Sequence, residues 1–325
     1  MQEVHQELLE RNIINQNQFS HLDQIKSKRL FSVYFELRTL LYIGVLLLTT
    51  GIGFIIYLNM GKIAHLALIT VMLALETIVF LYIQKHASPY TNERLKPPTP
   101  YFDYVLLFGA LLVISILTYV LLQYNLVESL LEWSSLISAI IFFYLAFRYD
   151  HRGVLSLAIT AFAAFWGLSV SPIDWTTNEF MSVLKLYNTG IIVGLGFVFI
   201  SEVLERKNAK KHFSFTFKNF GLILFYISAI NALFESDYWG IYSFSIMIVS
   251  VWVSITAWRK QEYLFFIYGS IAGYIAFTRL LVEIVPSNSP FEFWMMYSMA
   301  SMGGLIWMIT SIISNKRKNA NYDRF

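Results

Sequence analysis

The sequence has no cysteine in 325 residues. Disulfides, thiolate nucleophiles, cysteine-ligated zinc and iron–sulfur clusters are therefore excluded within it. Charge is also scarce, at 14% of residues, while 57% are hydrophobic. Seven prolines occur, and four of them, Pro89, Pro97, Pro98 and Pro100, crowd into one segment. Enzyme signatures are missing. There is no His-Glu-x-x-His, no Gly-x-Ser-x-Gly, no phosphate loop, and no Gly-x-Gly-x-x-Gly fingerprint opening a βαβ unit. The six histidines are scattered, and no spacing among them or the acids points to a metal site. No cofactor is implied, and the reading leans away from an enzyme.

What is present is apolar sequence in long runs. The mean hydropathy of +0.56 in a chain this long signals repeated membrane spans. The run at 39–58, TLLYIGVLLLTTGIGFIIYL, holds no charge. At about 1.5 Å per residue it covers roughly 30 Å, the thickness of a hydrocarbon layer. Ten such runs are expected near 39–58, 64–83, 104–122, 131–147, 153–170, 186–203, 219–234, 238–258, 263–284 and 293–313.

Basic residues set the sidedness of these runs. With both termini on the cytoplasmic side, only Lys62 and Lys185 of the 24 Lys and Arg residues fall in outer segments. Arg279 lies inside a span, and all the others fall in inner segments. One missed or extra span would destroy that alternation. Acids mark the other side: Glu128, Glu132, Asp174, Glu179, Glu235, Asp237 and Glu292 fall in outer loops. Trp133, Trp175, Trp239 and Trp294 sit near outer span ends, where an indole suits the interface.

The expected fold class is an all-α integral membrane bundle of about ten transmembrane helices, with cytoplasmic N and C termini. Its parts are a cytoplasmic amphipathic hairpin at 1–38, a transmembrane domain at 39–314 and a basic tail at 315–325. The first 38 residues lack the three regions of a cleaved signal peptide, so they are expected to stay. Val4, Leu8 and Leu9 make one apolar stripe there, and Phe19, Leu22 and Ile25 a second. The segment 85–103 is expected to be an extended connection because of its prolines. The segment 205–218 mixes basic residues with Phe213, Phe215 and Phe217, a pattern suited to anionic lipid headgroups at about 1 kcal/mol per basic residue. The segment 171–185 is long enough for a small interfacial helix. The net charge is +3 and no compact basic domain stands out, so nucleic acid is not an expected partner. A cytoplasmic or membrane protein partner is an alternative use of the hairpin.

Four residues are candidates for a substrate or proton pathway. Glu76 lies near the middle of the second run, where a charged acid costs roughly 2.5 kcal/mol or more, so the neutral form is favoured. His65 is eleven residues earlier, on nearly the same helical face. Arg279 and Glu283 stand four apart, as helical neighbours able to pair, or Arg279 could reach inward for an anionic substrate or for Glu76. Asn188 and Asn231 suit hydrogen bonds between helices. Gly190-x-x-x-Gly194, Gly269-x-x-x-Gly273 and Gly303-Gly304 suit close helix approach. Asp150-His151-Arg152 reads as a charged turn. The first and sixth runs share a pattern, Gly51-Ile52-Gly53-Phe54 and Gly194-Leu195-Gly196-Phe197, the kind of likeness an inverted repeat leaves.

The N-terminal region carries Leu9-x-x-x-Ile13-Ile14-Asn15-x-x-Gln18, followed by Ile43-Gly44-Val45 and Gly51-Ile52. Over about 5–90 this resembles the bacterial multi-span membrane proteins of domain-of-unknown-function family 2157. The resemblance implies a bacterial inner-membrane setting and assigns no site residue. In span count, topology and size the chain is also similar to drug/metabolite transporters, from which its N-terminal hairpin departs. The preferred function is a small-solute transporter or permease with Glu76 as proton-coupling carboxylate. A non-catalytic scaffold or accessory subunit is the alternative, and a membrane-embedded transferase the third reading.

Overall fold

A computed structural model describes residues 34–58, 65–95, 97–170, 179–286 and 291–322. The hairpin expected before residue 34, the outer residues Lys62, Asp174 and Trp175, and the last three residues lie outside the described residues. Among these, the regular structure is helical throughout. The helices are α1 (Tyr34–Leu58), α2 (His65–His86), α3 (Phe102–Gln123), α4 (Val127–Tyr149), α5 (Arg152–Val170) and α6 (Glu179–Lys207). A short 3-10 turn, Lys211–Phe213, leads into α7 (Ser214–Glu235), α8 (Trp239–Lys260), α9 (Tyr263–Ile284) and α10 (Phe291–Tyr322). Each expected apolar run falls on one helix. Among the described residues seven helices, α2, α3, α4, α6, α7, α8 and α9, are long and apolar enough, by length and composition, to cross a membrane. In α1 and α5 the apolar stretches are shorter, Thr39–Ile55 and Arg152–Gly167.

Helices overrun their apolar runs where the flanking residues still favour helix. Thus α6 begins at Glu179, so residues 179–185 are its first turns and not a separate interfacial helix. Likewise α10 continues through the basic residues after 314 to Tyr322. Breaks follow turn chemistry. Prolines keep 87–95 out of helix, as expected. Asp150 and Gln261 end α4 and α8 with left-handed backbones, φ 61° and 59°. Asp tolerates that region better than most side chains, and the reversal lets the next helix start two residues later.

The chain divides into two units. One, 44–285, holds the end of α1 and the array α2–α9. The other contains the start of α1 and α10.

Within the array, α6 packs most extensively on α7, α4 on α5, and α8 on α9, while α2 packs on α3. Two of the expected glycine motifs are closely used. A Cβ on Gly194 would come within 2.7 Å of the Phe225 amide nitrogen and 2.8 Å of the Gly221 carbonyl oxygen. Backbone touches backbone there, so only hydrogen fits. On α9, Gly269 and Gly273 lie against Ser250 and Ser254 of α8. Gly51 and Gly53 meet nothing within 4 Å, so their likeness to Gly194 and Gly196 does not extend to a shared contact. A buried apolar cluster, including Leu222, Phe225, Ile246, Val253 and Phe265, fills the space among α6–α9.

Candidate functional site

The α2–α3 interface carries two of the four candidate residues. His65, Met72, Glu76, Val79 and Ile83 fall on one face of α2, and the last two with Met72 are buried. The helices run antiparallel: His65 Nδ1 and the Tyr119 hydroxyl are 2.8 Å apart at one end, and the Tyr82 and Thr99 hydroxyls 3.3 Å apart near the other. Glu76 lies between these ends, half-buried over Gly109. A Cβ on Gly109 would sit 3.7 Å from both Glu76 carboxylate oxygens. That is ordinary contact distance; the close approach at Gly109 is with the Val79 side chain, 2.8 Å from where the carbon would be. Glu76 Oε2 is buried and has no hydrogen-bond partner among the described residues. His65 does share the face, but buried Met72 lies between it and Glu76.

Arg279 and Glu283 form the expected pair on α9, with Nη1 and Oε1 2.6 Å apart. The Arg279 guanidinium also lies over the Trp239 ring of α8, 5.8 Å from its centre. These contacts hold Arg279 at the α8–α9 seam. Because α2 packs on α3 and α9 packs on α7 and α8, the alternative of Arg279 reaching Glu76 is not what the fold brings together. The two pairs of candidates occupy separate places.

A cavity of about 210 Å³ opens between α5, α6 and α7, lined in part by Trp166, Tyr187, Thr189, Ser228 and Asn231. The Tyr187 hydroxyl donates to Glu235 at its α7 end. Asn231 donates to Ile227 O of its own helix, whereas Asn188 accepts from the Tyr242 hydroxyl at 2.8 Å and so joins α6 to α8. Glu76 is not part of this cavity.

The densest polar cluster lies around Asp150, which reads in the sequence only as a turn. The Asp150 side chain is 1% exposed, and so is that of Lys210, whose Nζ is 3.2 Å from Asp150 Oδ1. The same oxygen accepts from His212 Nε2. Asp150 Oδ2 accepts from the Leu95 amide at 2.6 Å. Lys210 lies over the Tyr90 ring and donates its backbone N–H to Asn92 O. Arg148 Nη1 donates to Ser88 O at 3.0 Å. One acid thus ties the proline-rich segment, the α4–α5 turn and the 3-10 turn together.

A second network joins the adjacent helix ends. Lys218, 1% exposed, donates to Glu262 at 2.7 Å and lies over the Phe265 ring. Lys260 reaches Glu205 and Glu202, and Glu205 also accepts from Ser214. These contacts take two of the basic residues of 205–218 out of reach of headgroups and leave the others outside. Lys210, Lys218, Phe213 and Phe217 are buried inside the protein. Of that segment, Arg206, Lys207, Lys211 and Phe215 stay exposed.

The sequence offered one signal for the Asp150 cluster, an acid between two apolar runs in an otherwise basic turn. Its partners are separated from it by 55 to 62 residues of chain, which spacing arguments do not reach. Among the described residues no group of three or more His, Asp or Glu side chains is placed to hold a metal ion. No known protein family, characterised protein or solved structure matches this chain.

Proposed function

We propose that this chain is a multi-pass inner-membrane protein with both ends in the cytoplasm, acting as a permease for a small solute, with Glu76 as the proton-coupling carboxylate. The membrane reading is supported by the seven long apolar helices and by the apolar exterior. Tyr144, Ile192, Phe199, Phe244 and Ile248 are all exposed, and water would penalise such a surface. It is also supported by the basic segments 85–95, 148–152, 206–218 and 259–260, which are linked through Asp150, Lys210, Lys218 and Lys260. Gathering the basic ends on one side is what the positive-inside rule requires.

The single observation that carries the permease reading is Glu76. A carboxylate within an apolar helix is retained at a cost, and structural retention would give both its oxygens partners. Instead Oε2 is buried with none among the described residues. Such a group can take up and release a proton without breaking a structural bond. The test is solute flux into proteoliposomes under an imposed proton gradient, with a broad solute panel. Gradient-driven uptake is expected, falling at least tenfold in Glu76→Gln while helix content and melting temperature hold. Full activity in that variant would remove the proton-coupling role. If no solute moves and a stoichiometric partner co-purifies until residues 1–30 are deleted, the chain is a scaffold.

A further inference from the structure

Three chain segments converge on Asp150, and each brings a basic side chain that stays outside. Arg94 precedes Leu95, whose amide donates to Asp150 Oδ2. Arg152 follows Asp150 by two residues and opens α5. Lys211 stands between Lys210, which pairs ionically with Asp150 Oδ1, and His212, which is hydrogen-bonded to the same oxygen. All three are exposed, and Arg94 and Arg152 lie within electrostatic range of each other. The acid beneath them is already committed: its oxygens are taken by Lys210, His212 and the Leu95 amide. Its charge acts on Arg152 but is already matched by that of Lys210. Neither Arg94 nor Arg152 nor Lys211 has an acidic partner among the described residues, unlike Lys218, Lys260 and Arg279.

Like charges held together in this way are destabilising unless an anion joins them. Guanidinium forks match the oxygens of phosphate in a bidentate fashion. The rim also sits at the end of apolar helices α4 and α5, at the level of headgroups if those helices lie in lipid. We infer that Arg94, Arg152 and Lys211 form a site for the phosphate headgroup of an acidic phospholipid in the cytoplasmic leaflet. The site differs from diffuse adsorption. It is built on a buried acid that fixes three segments, so it holds one headgroup at a defined place. The inference rests on the membrane reading above and is independent of transport.

The test uses the full chain purified into nanodiscs. Discs of phosphatidylcholine alone are compared with discs carrying a few per cent phosphatidic acid, and thermal stability is read by intrinsic fluorescence. Phosphatidic acid is expected to raise the melting temperature of the wild type by several degrees. The double variant Arg94→Gln/Arg152→Gln should melt like wild type in phosphatidylcholine and lose most of that gain. Lys185→Gln, a basic residue on α6 outside this cluster, should keep it. An equal gain in the double variant, or no gain in wild type, overturns the site. An equal gain from millimolar inorganic phosphate in phosphatidylcholine discs overturns the lipid assignment. Should the chain fail to enter discs at all, the membrane reading falls, which is a separate result.

Discussion

Replacing Asp150 with alanine is expected to be among the most destabilising single changes in this protein, costing about 3–5 kcal/mol. The magnitude follows from what is left behind. Lys210 is 1% exposed and its ion pair is with Asp150. Without the carboxylate, a buried ammonium keeps only the Tyr90 ring, 5.0 Å away. Removing one partner of a buried pair costs more than the pair itself contributes, because the surviving charge is stranded. The Leu95 amide and His212 lose their acceptor in the same step. Lys210→Met removes the stranded charge, so the double variant Asp150→Ala/Lys210→Met should cost clearly less than the sum of the two single changes. Reversible unfolding in mixed micelles measures all three. An Asp150→Ala cost under about 0.5 kcal/mol, the size of an ordinary surface change, would show that the cluster contributes little.

The second large effect is expected at Gly194. Its missing Cβ is the space through which α6 and α7 touch, with backbone atoms of Phe225 and Gly221 at 2.7 and 2.8 Å from where that carbon would be. Backbone atoms inside a helix cannot swing aside as a flexible side chain can. Gly194→Ala therefore has to push the helices apart, at about 1–3 kcal/mol. It also loosens the contacts around the glycine, which matter more in lipid, where packing and not water exclusion holds helices together. Gly196 supplies the control. It lies two residues on, in the same helix, and meets nothing within 4 Å. Gly196→Ala should be neutral or stabilising by up to about 1 kcal/mol, from helix propensity alone. Equal effects at the two glycines would contradict the close approach.

Helix positions were legible in the sequence because a long, largely apolar helix announces itself as an uninterrupted apolar run. The edges were less so. Apolar content ends near 203 while α6 continues to Lys207, since Glu, Arg and Lys are good helix formers and need not stop where the apolar residues do. Pairs close in sequence were legible too: Arg279 and Glu283 meet as a helix geometry requires. What sequence spacing could not show was Asp150. Its partners come from the proline-rich segment and from the 3-10 turn, which are adjacent only after α3 to α7 have packed. For the same reason Lys210 and Lys218 read as part of a basic–aromatic segment suited to headgroups, and are instead buried against Asp150 and Glu262. Charge pattern reports which side of a helix array a residue is on; it does not report whether the residue faces outward or inward.

The sidedness on which the permease and headgroup proposals depend can be read directly. Because the sequence contains no cysteine, a single introduced thiol is the sole target for a membrane-impermeant maleimide. Lys185→Cys and Lys211→Cys place one exposed thiol on each expected side. In sealed cells Lys185→Cys should label at once, and Lys211→Cys only after the membrane is opened. Labelling of Lys211→Cys from outside, or both thiols reacting from the same side, would contradict a chain threaded through the bilayer with its basic ends in the cytoplasm.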